Sequence, residues 1–273
     1  MERMIDCHND CVTALKKDKK ISKYLQKLKN INLILAVWAT ELSEIQAINL
    51  MQQTKNLSSK FNVMTSFEDL HFLSHDSLEI LLQLKPDFAG IVWNKDNNLG
   101  GGAYGTEGLS GFGKTVCDRL ENENTIIDTA HMNERTFMDF ARATSKPLFC
   151  SHSGLYNVCN TPRNLKDYQC RMIIESGGVL GLCFASQLLT GSNHSNLHDV
   201  AMHIEYFAEN FGTDNLCLGT DFYGTKHLPT GIKNYEDMPK LSALLKERGF
   251  TSEEVDKIFY KNFESFLTKA KIC

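Results

Sequence analysis

Short runs of apolar, β-branched and aromatic residues recur along the chain, separated by longer stretches with helical spacing. The runs are MIDCH (4–8), INLILAVWA (31–39), FNVMTSFE (61–68), FAGIVW (88–93), TIIDTAH (125–131), PLFCSH (147–152), GVLGLCFA (178–185) and NLCLGTD (215–221). Most are apolar on both faces, as parallel strands covered on both sides require. Between them, residues 12–29, 42–57, 133–143, 164–176 and 197–210 carry amphipathic patterns. Thr251 and Glu254 stand three apart and precede an apolar stripe of Val255, Ile258 and Phe259, which predicts a capping box opening a further helix. Eight strands alternating with helices predict an α/β fold, a (β/α)8 TIM-type barrel, with an open doubly wound sheet as the alternative. No linker, repeat or low-complexity tract divides the sequence, so residues 1–273 are expected to form one barrel domain.

The polar residues fall at the ends of these runs. The first ends in His8 and continues to Asp10, the third ends in Glu68, the fifth in His131, the sixth in His152 and the eighth in Asp221. Histidine, aspartate and glutamate are the side chains that bind Zn²⁺ and similar ions. In a barrel the carboxyl ends of the strands converge on one face, where catalytic groups sit. One histidine at a strand end is ordinarily structural, and an aspartate after a strand is commonly a helix cap. Several carboxylates converging in a buried cavity are costly without a cation, so the joint pattern points to a metal pair. The remaining histidines, His71, His75, His194, His198, His203 and His227, fall in loops or helical segments and read as surface or structural.

Gly100, Gly102 and Gly105 match G-x-G-x-x-G, but they begin seven residues after the strand and no helix opens directly on them. The dinucleotide fingerprint needs a tight strand–turn–helix setting. The stretch therefore reads as a flexible loop over the barrel mouth.

Composition narrows the function classes. The chain has 42% hydrophobic and 23% charged residues and a net charge of −4, with no basic block, so nucleic acid and anionic membranes are not expected partners. No stretch approaches the roughly 20 apolar residues of a membrane span, and the N-terminus shows no apolar signal region. Nine cysteines, an odd number with no C-x-x-C pair, read as free and mostly buried thiols in a reducing compartment, so a cytoplasmic location is expected.

Seven ordered motifs resemble the membrane (renal) dipeptidase family, peptidase family M19, especially its shorter bacterial members. Asp6-Cys7-His8-Asn9-Asp10 matches the family's D-G-H-N-D with cysteine for glycine. Trp93-Asn94 with Asn98 and Gly100–Gly102 resembles W-N…N…G, and Gly108-Leu109-Ser110-Gly111-Phe112-Gly113 resembles a G-L-[ST]-x-x-G helix start. Asp128-Thr129-Ala130-His131, Ser151-His152-Ser153, Arg163-Asn164 and Gly219-Thr220-Asp221-Phe222 complete the set. The resemblance implies two zinc ions at the barrel mouth. His8 and Asp10 would hold one, His131 and His152 the other, and Glu68 would bridge them. Asp221 would act as proton acceptor and donor within reach of the first ion. Arg163 would bind the substrate's terminal carboxylate, with Trp93 and Asn94 beside the substrate. The implied substrate is a dipeptide, with a D-residue tolerated at its C-terminal position, and a homodimer stays open. Two departures stand out. Glu68 is followed by Asp69 where glycine is usual, and Trp93-Asn94 stands where vertebrate members have a histidine. Two other functions remain open at this level. One is a related binuclear barrel acting on another amide, lactam or ester; the other is a metal-binding barrel without catalysis.

Overall fold

A computed structural model describes residues 3–15 and 18–272. Eight parallel strands close into a barrel in sequence order. They are β1 Met4–Asn9, β2 Ile31–Trp38, β3 Val63–Glu68, β4 Phe88–Gly90, β5 Ile126–Asp128, β6 Phe149–Ser153, β7 Val179–Leu182 and β8 Leu216–Leu218. Each falls on a predicted run, with β1 and β6 ending one residue beyond theirs, and β1 pairs with β8 through Asp6 and Leu218 to complete the ring. Closure excludes the open sheet.

Helices occupy the amphipathic stretches, and others at 75–84, 186–190 and 238–247 form where no helical pattern was singled out. The predicted helix 12–29 is two pieces, α1 Cys11–Leu15 and α2 Asp18–Leu25, with residues 16 and 17 outside the described residues. Then come α3 Glu44–Ser58, α4 His75–Leu84, α5 Gly111–Asn122, α6 Glu134–Ala143, α7 Asp167–Glu175, α8 Ser186–Thr190, α9 Leu197–Phe211, α10 Met238–Glu247, α11 Ser252–Asp256 and α12 Asn262–Ile272. Ser110 caps α5 by accepting from the Gly113 N–H at 2.9 Å. The Thr251–Glu254 capping box forms as the spacing predicts. No described helix is long and apolar enough to cross a membrane. The eight described cysteines are free and buried; Cys273 lies outside the described residues.

Helix α12 does something the sequence pattern did not show. Ile5, Cys7, Ile34, Phe88, Phe149, Val179 and Cys217 form an inner cluster at the barrel floor, and Phe263 and Phe266 of α12 pack into it. Phe266 stacks on Phe149 at 5.4 Å between ring centroids. The floor is thereby sealed, which leaves the carboxyl-end mouth as the entrance. Phe266→Ala is expected to remove about 3–5 kcal/mol of stability, the usual cost of emptying a buried aromatic site. Urea unfolding checks this, and a loss under 1 kcal/mol would show that α12 does not plug the barrel.

Candidate metal centre and active site

Two strands change register where they deliver histidines. The β1–β2 pairing shifts between Asp6 and Asn9, around His8. The β6–β7 pairing shifts between Cys150 and Ser153, around His152. Such irregularities re-aim side chains that strict alternation would send elsewhere. His131 and Asp221 follow their strands with left-handed backbones, at φ 66° and 59°. Conformations of this kind cluster at functional sites, where surrounding structure holds them.

The six predicted ligand-type side chains meet. Glu68 is central: its Oε2 lies 3.2 Å from His8 Nε2, and its Oε1 lies 2.8 Å from His131 Nε2. His8 Nε2 is also 3.2 Å from Asp10 Oδ2, and the Nε2 atoms of His131 and His152 are 3.1 Å apart. Candidate ligand atoms of His8, Asp10 and Glu68 fall within 4.8 Å of one another, as do those of Glu68, His131 and His152. Half-buried Asp221 lies against Asp10. Gly224 leaves room for the pair, because a Cβ there would come within 2.1 Å of Asp221 Oδ1 and 2.3 Å of Asp10 Oδ2.

Two buried aspartates brace the ligands, and sequence reasoning gave them no role. Asp6 accepts from the His8 N–H at 3.2 Å and the Thr220 N–H at 2.7 Å, tying β1 to the turn that carries Asp221. The Tyr235 hydroxyl donates to it as well. Asp128 accepts from the Ala130 N–H at 3.0 Å and the Ser151 N–H at 2.8 Å, one residue before His131 and His152 respectively. Its carboxylate also falls within 4.8 Å of ligand atoms of His8 and His152. The available signal was position: each of these aspartates sits two or three residues before a histidine in its motif.

The donor set fits divalent cations. His8 Nε2 and both carboxylate oxygens of Asp10 are buried without a hydrogen-bond partner. Burial pushes the Asp10 carboxyl up to about 6. Burial and the neighbouring Asp10 charge hold the Asp221 carboxyl well above the usual carboxylate range. Burial also works against a charge on Glu68, but His8 and His131 outweigh it and hold that carboxyl low. Burial disfavours a charged His8 too, yet Asp10 and Glu68 draw a proton onto it. The partnerless Asp10 oxygens beside Glu68 and His8 are where a cation fits. Burial, then the Arg163 charge, push His131 down to about 3. Burial, then the charges of His8 and Arg163, hold His152 well below its ordinary value. Both are neutral imidazoles, the form that binds metals.

Around this cluster, Arg163 is buried and donates from Nε to His131 Nδ1 at 3.0 Å and from Nη2 to the His152 carbonyl at 2.9 Å. It lines, with His131, Tyr156, Lys166 and Gln169, a cavity of about 310 Å³. Asn94 Oδ1 lies 3.0 Å from the same His131 Nδ1. Trp93 packs edge-on against Trp38 and lies 5.9 Å from the His131 ring. Asp69 takes the turn after Glu68 at φ 74°. Aspartate tolerates this better than most side chains, and its carboxylate is occupied by Thr40, Asn97 and the His71 N–H, each at 2.9 Å.

Of the other histidines, His203 is the buried structural one: Nδ1 accepts from the Leu155 N–H and Nε2 meets the Leu189 carbonyl, each at 3.1 Å. The glycine stretch departs from expectation. Gly100–Gly102 are buried, and a Cβ on Gly101 or Gly102 would lie 2.1 Å from the Glu107 carbonyl or 2.2 Å from the Trp93 carbonyl. These glycines permit close backbone packing; they do not form an open loop.

A barrel that gathers histidines and carboxylates at its strand ends is built to hold divalent cations at its mouth. Comparison narrows the class: the model of the membrane dipeptidases, peptidase family M19, matches residues 5–271, and the chain belongs to that family. An uncharacterized protein in the pqqA 5′ region of Klebsiella pneumoniae is 32% identical over 186 residues, 64% of this chain and 68% of that one. Among solved structures, a metallopeptidase of family M19, a dipeptidase, superposes with a TM-score of 0.88 at 21% identity, covering 99% of both chains. A metallopeptidase from Rhodobacter sphaeroides, liganded with a phosphinate mimic of the dipeptide L-Ala-D-Ala, gives 0.84 at 20% identity, covering 98% of this chain and 99% of that one.

Proposed function

We propose that this enzyme is a zinc-dependent dipeptidase that holds two ions and accepts a D-residue at the C-terminal position of its substrate. The observation that carries this is Glu68, whose two oxygens face His8 and His131 separately, at 3.2 and 2.8 Å. His8 and Asp10 would hold one ion on its first side, with Asp221 adjoining, and His131 and His152 the other on its second. Divalent ions held there would supply an activated water and polarise the scissile carbonyl.

The chain's own groups do the rest. Asp221, lying against Asp10, takes a proton from the attacking water and returns it to the departing amine nitrogen. Arg163 offers a planar fork suited to a carboxylate. Its cavity takes the C-terminal residue, and its buried position admits a short substrate in preference to a long chain. The second residue is anchored at its carboxylate and at its scissile amide. Neither anchor touches its side chain, so inverting that centre exchanges side chain and hydrogen while both contacts persist. The ligand of the Rhodobacter sphaeroides protein supports this preference.

The test pairs the zinc-loaded enzyme with L,L- and L,D-dipeptides and their C-terminal amides. Both free-acid series are hydrolysed, and chelation abolishes the activity. Arg163→Ala loses about 1.5–3 kcal/mol in kcat/KM, the worth of a charge-assisted contact. Amidation hurts the wild type far more than the variant. Equal losses in both would show that Arg163 does not bind the carboxylate, and full activity after exhaustive chelation would remove the metal from the mechanism.

A further inference from the structure

The two groups that meet His131 Nδ1 are of opposite kind. Asn94 Oδ1, at 3.0 Å, can only accept a hydrogen, whereas Arg163 Nε, at 3.0 Å, can only donate one. A ring nitrogen either carries a hydrogen or does not, so the two contacts cannot both be hydrogen bonds at once. Across the ring, Nε2 lies 2.8 Å from Glu68 Oε1. With its hydrogen on Nε2, the ring donates to Glu68, Nδ1 accepts from Arg163, and the Asn94 oxygen faces a lone pair. With its hydrogen on Nδ1, the ring donates to Asn94, and Nε2 turns a lone pair into the Glu68–His152 cluster. Arg163 Nε–H then faces another N–H and is repelled. A histidine that ligates through Nε2 needs the second arrangement, and an acceptor on its far nitrogen fixes it there.

The Asn94 backbone is held firmly enough for this task. Its carbonyl accepts from the Tyr104 N–H at 2.9 Å, and the Trp93 carbonyl from the Ala103 N–H at 3.3 Å. Gly102 packs so closely behind them that a Cβ would lie 2.7 Å from the Asn94 carbonyl carbon. Gly102 thus has a use that no nucleotide motif would give it: it backs the segment that presents Asn94.

We propose that Asn94 is a positioning residue for His131, and that zinc binding at His131 shifts its Nδ1 from Arg163 to Asn94, releasing the guanidinium towards the substrate carboxylate. This rests on the zinc assignment above. The ring stays neutral throughout: the hydrogen at Nε2 leaves to water as the ion arrives, and one is taken up at Nδ1. Arg163 keeps its Nη2 bond to the His152 carbonyl as a pivot and has the 310 Å³ cavity beside it. The carboxylate clamp is therefore complete only after this ion is in place.

Zinc affinity of the metal-stripped full chain, measured by competition with a chromogenic chelator, tests the proposal on the wild type, Asn94→Ala, Asn94→Asp and Arg163→Ala. Asn94→Ala weakens one of the two ions about 10–100-fold, the usual cost of losing such a partner. Asn94→Asp, which keeps the acceptor, binds as tightly as the wild type or more so. Arg163→Ala binds zinc as well as the wild type or better. In ¹⁵N spectra of histidine-labelled protein, zinc places a hydrogen on one further Nδ1 in the wild type, and this signal is lost in Asn94→Ala. Unchanged affinity in Asn94→Ala, or an equal loss in Arg163→Ala, overturns the exchange while leaving the binuclear site standing. A wild type that takes up no zinc overturns both.

Discussion

Glu68→Gln is expected to lower kcat/KM on the order of 10³-fold or more, the largest loss of any single substitution here. Among the described residues Glu68 is the side chain whose two oxygens face both histidine groups, at 3.2 Å from His8 and 2.8 Å from His131. An amide keeps the shape but gives up the negative charge and one of the two oxygen donors. Metal-derived stabilisation is worth several kcal/mol, and at about 1.4 kcal/mol per decade its loss gives this scale. Bound zinc falls with it. The neighbouring Asp69→Asn is the control: Asp69 hydrogen-bonds to Thr40, Asn97 and His71, and asparagine also tolerates its left-handed backbone. It is expected to lose less than about tenfold. Steady-state kinetics and metal content decide, and the reverse ranking would place the bridge at Asp69.

Asp221→Asn comes second, with kcat expected to fall about 10²–10⁴-fold, the range of general acid–base catalysis. Asp221 lies against Asp10 at the mouth, where a carboxylate can take a proton from water and release it again. Asparagine does neither. Zinc on the His131–His152 side is unaffected, because Asp221 lies on the Asp10 side. Peptide substrates lose more than activated esters, whose leaving groups need no proton. An equal loss on both would reduce Asp221 to a ligand without a proton-transfer role.

Much of the site was legible because in a barrel each strand's carboxyl end leads to the mouth. His8, Glu68, His131, His152 and Asp221 could be read from strand ends alone, and the structure brings them together with Asp10 around Glu68. What each neighbour does was not legible. Asn94 and Arg163 were expected at the substrate, yet both meet His131 Nδ1. Asp6 and Asp128 carried no assigned role: their place before a histidine marks them, but the backbone N–H groups they accept from, at Thr220 and Ser151, lie far off in the chain. The glycine run misled because glycine serves both loose loops and close backbone contacts, and only the surrounding atoms tell them apart.

By itself the sequence determined the class of fold and the identity of the ligand-type residues. Apolar runs of strand length alternating with amphipathic stretches can bury their surface economically in a wound α/β arrangement, and polar residues ending those runs fall at one face. Only the tertiary structure decided closure of the sheet through Asp6 and Leu218, and the sealing of its floor by Phe263 and Phe266. It also decided which carboxylate stands between the histidines and which partner a ring nitrogen meets. The physical reason is range. Periodicity and capping act over a few residues, so the sequence records them directly. Bridging, bracing and hydrogen-bond direction depend on groups far apart in the chain, such as Asp6 and Thr220 or Asn94 and His131, that approach only when the barrel closes.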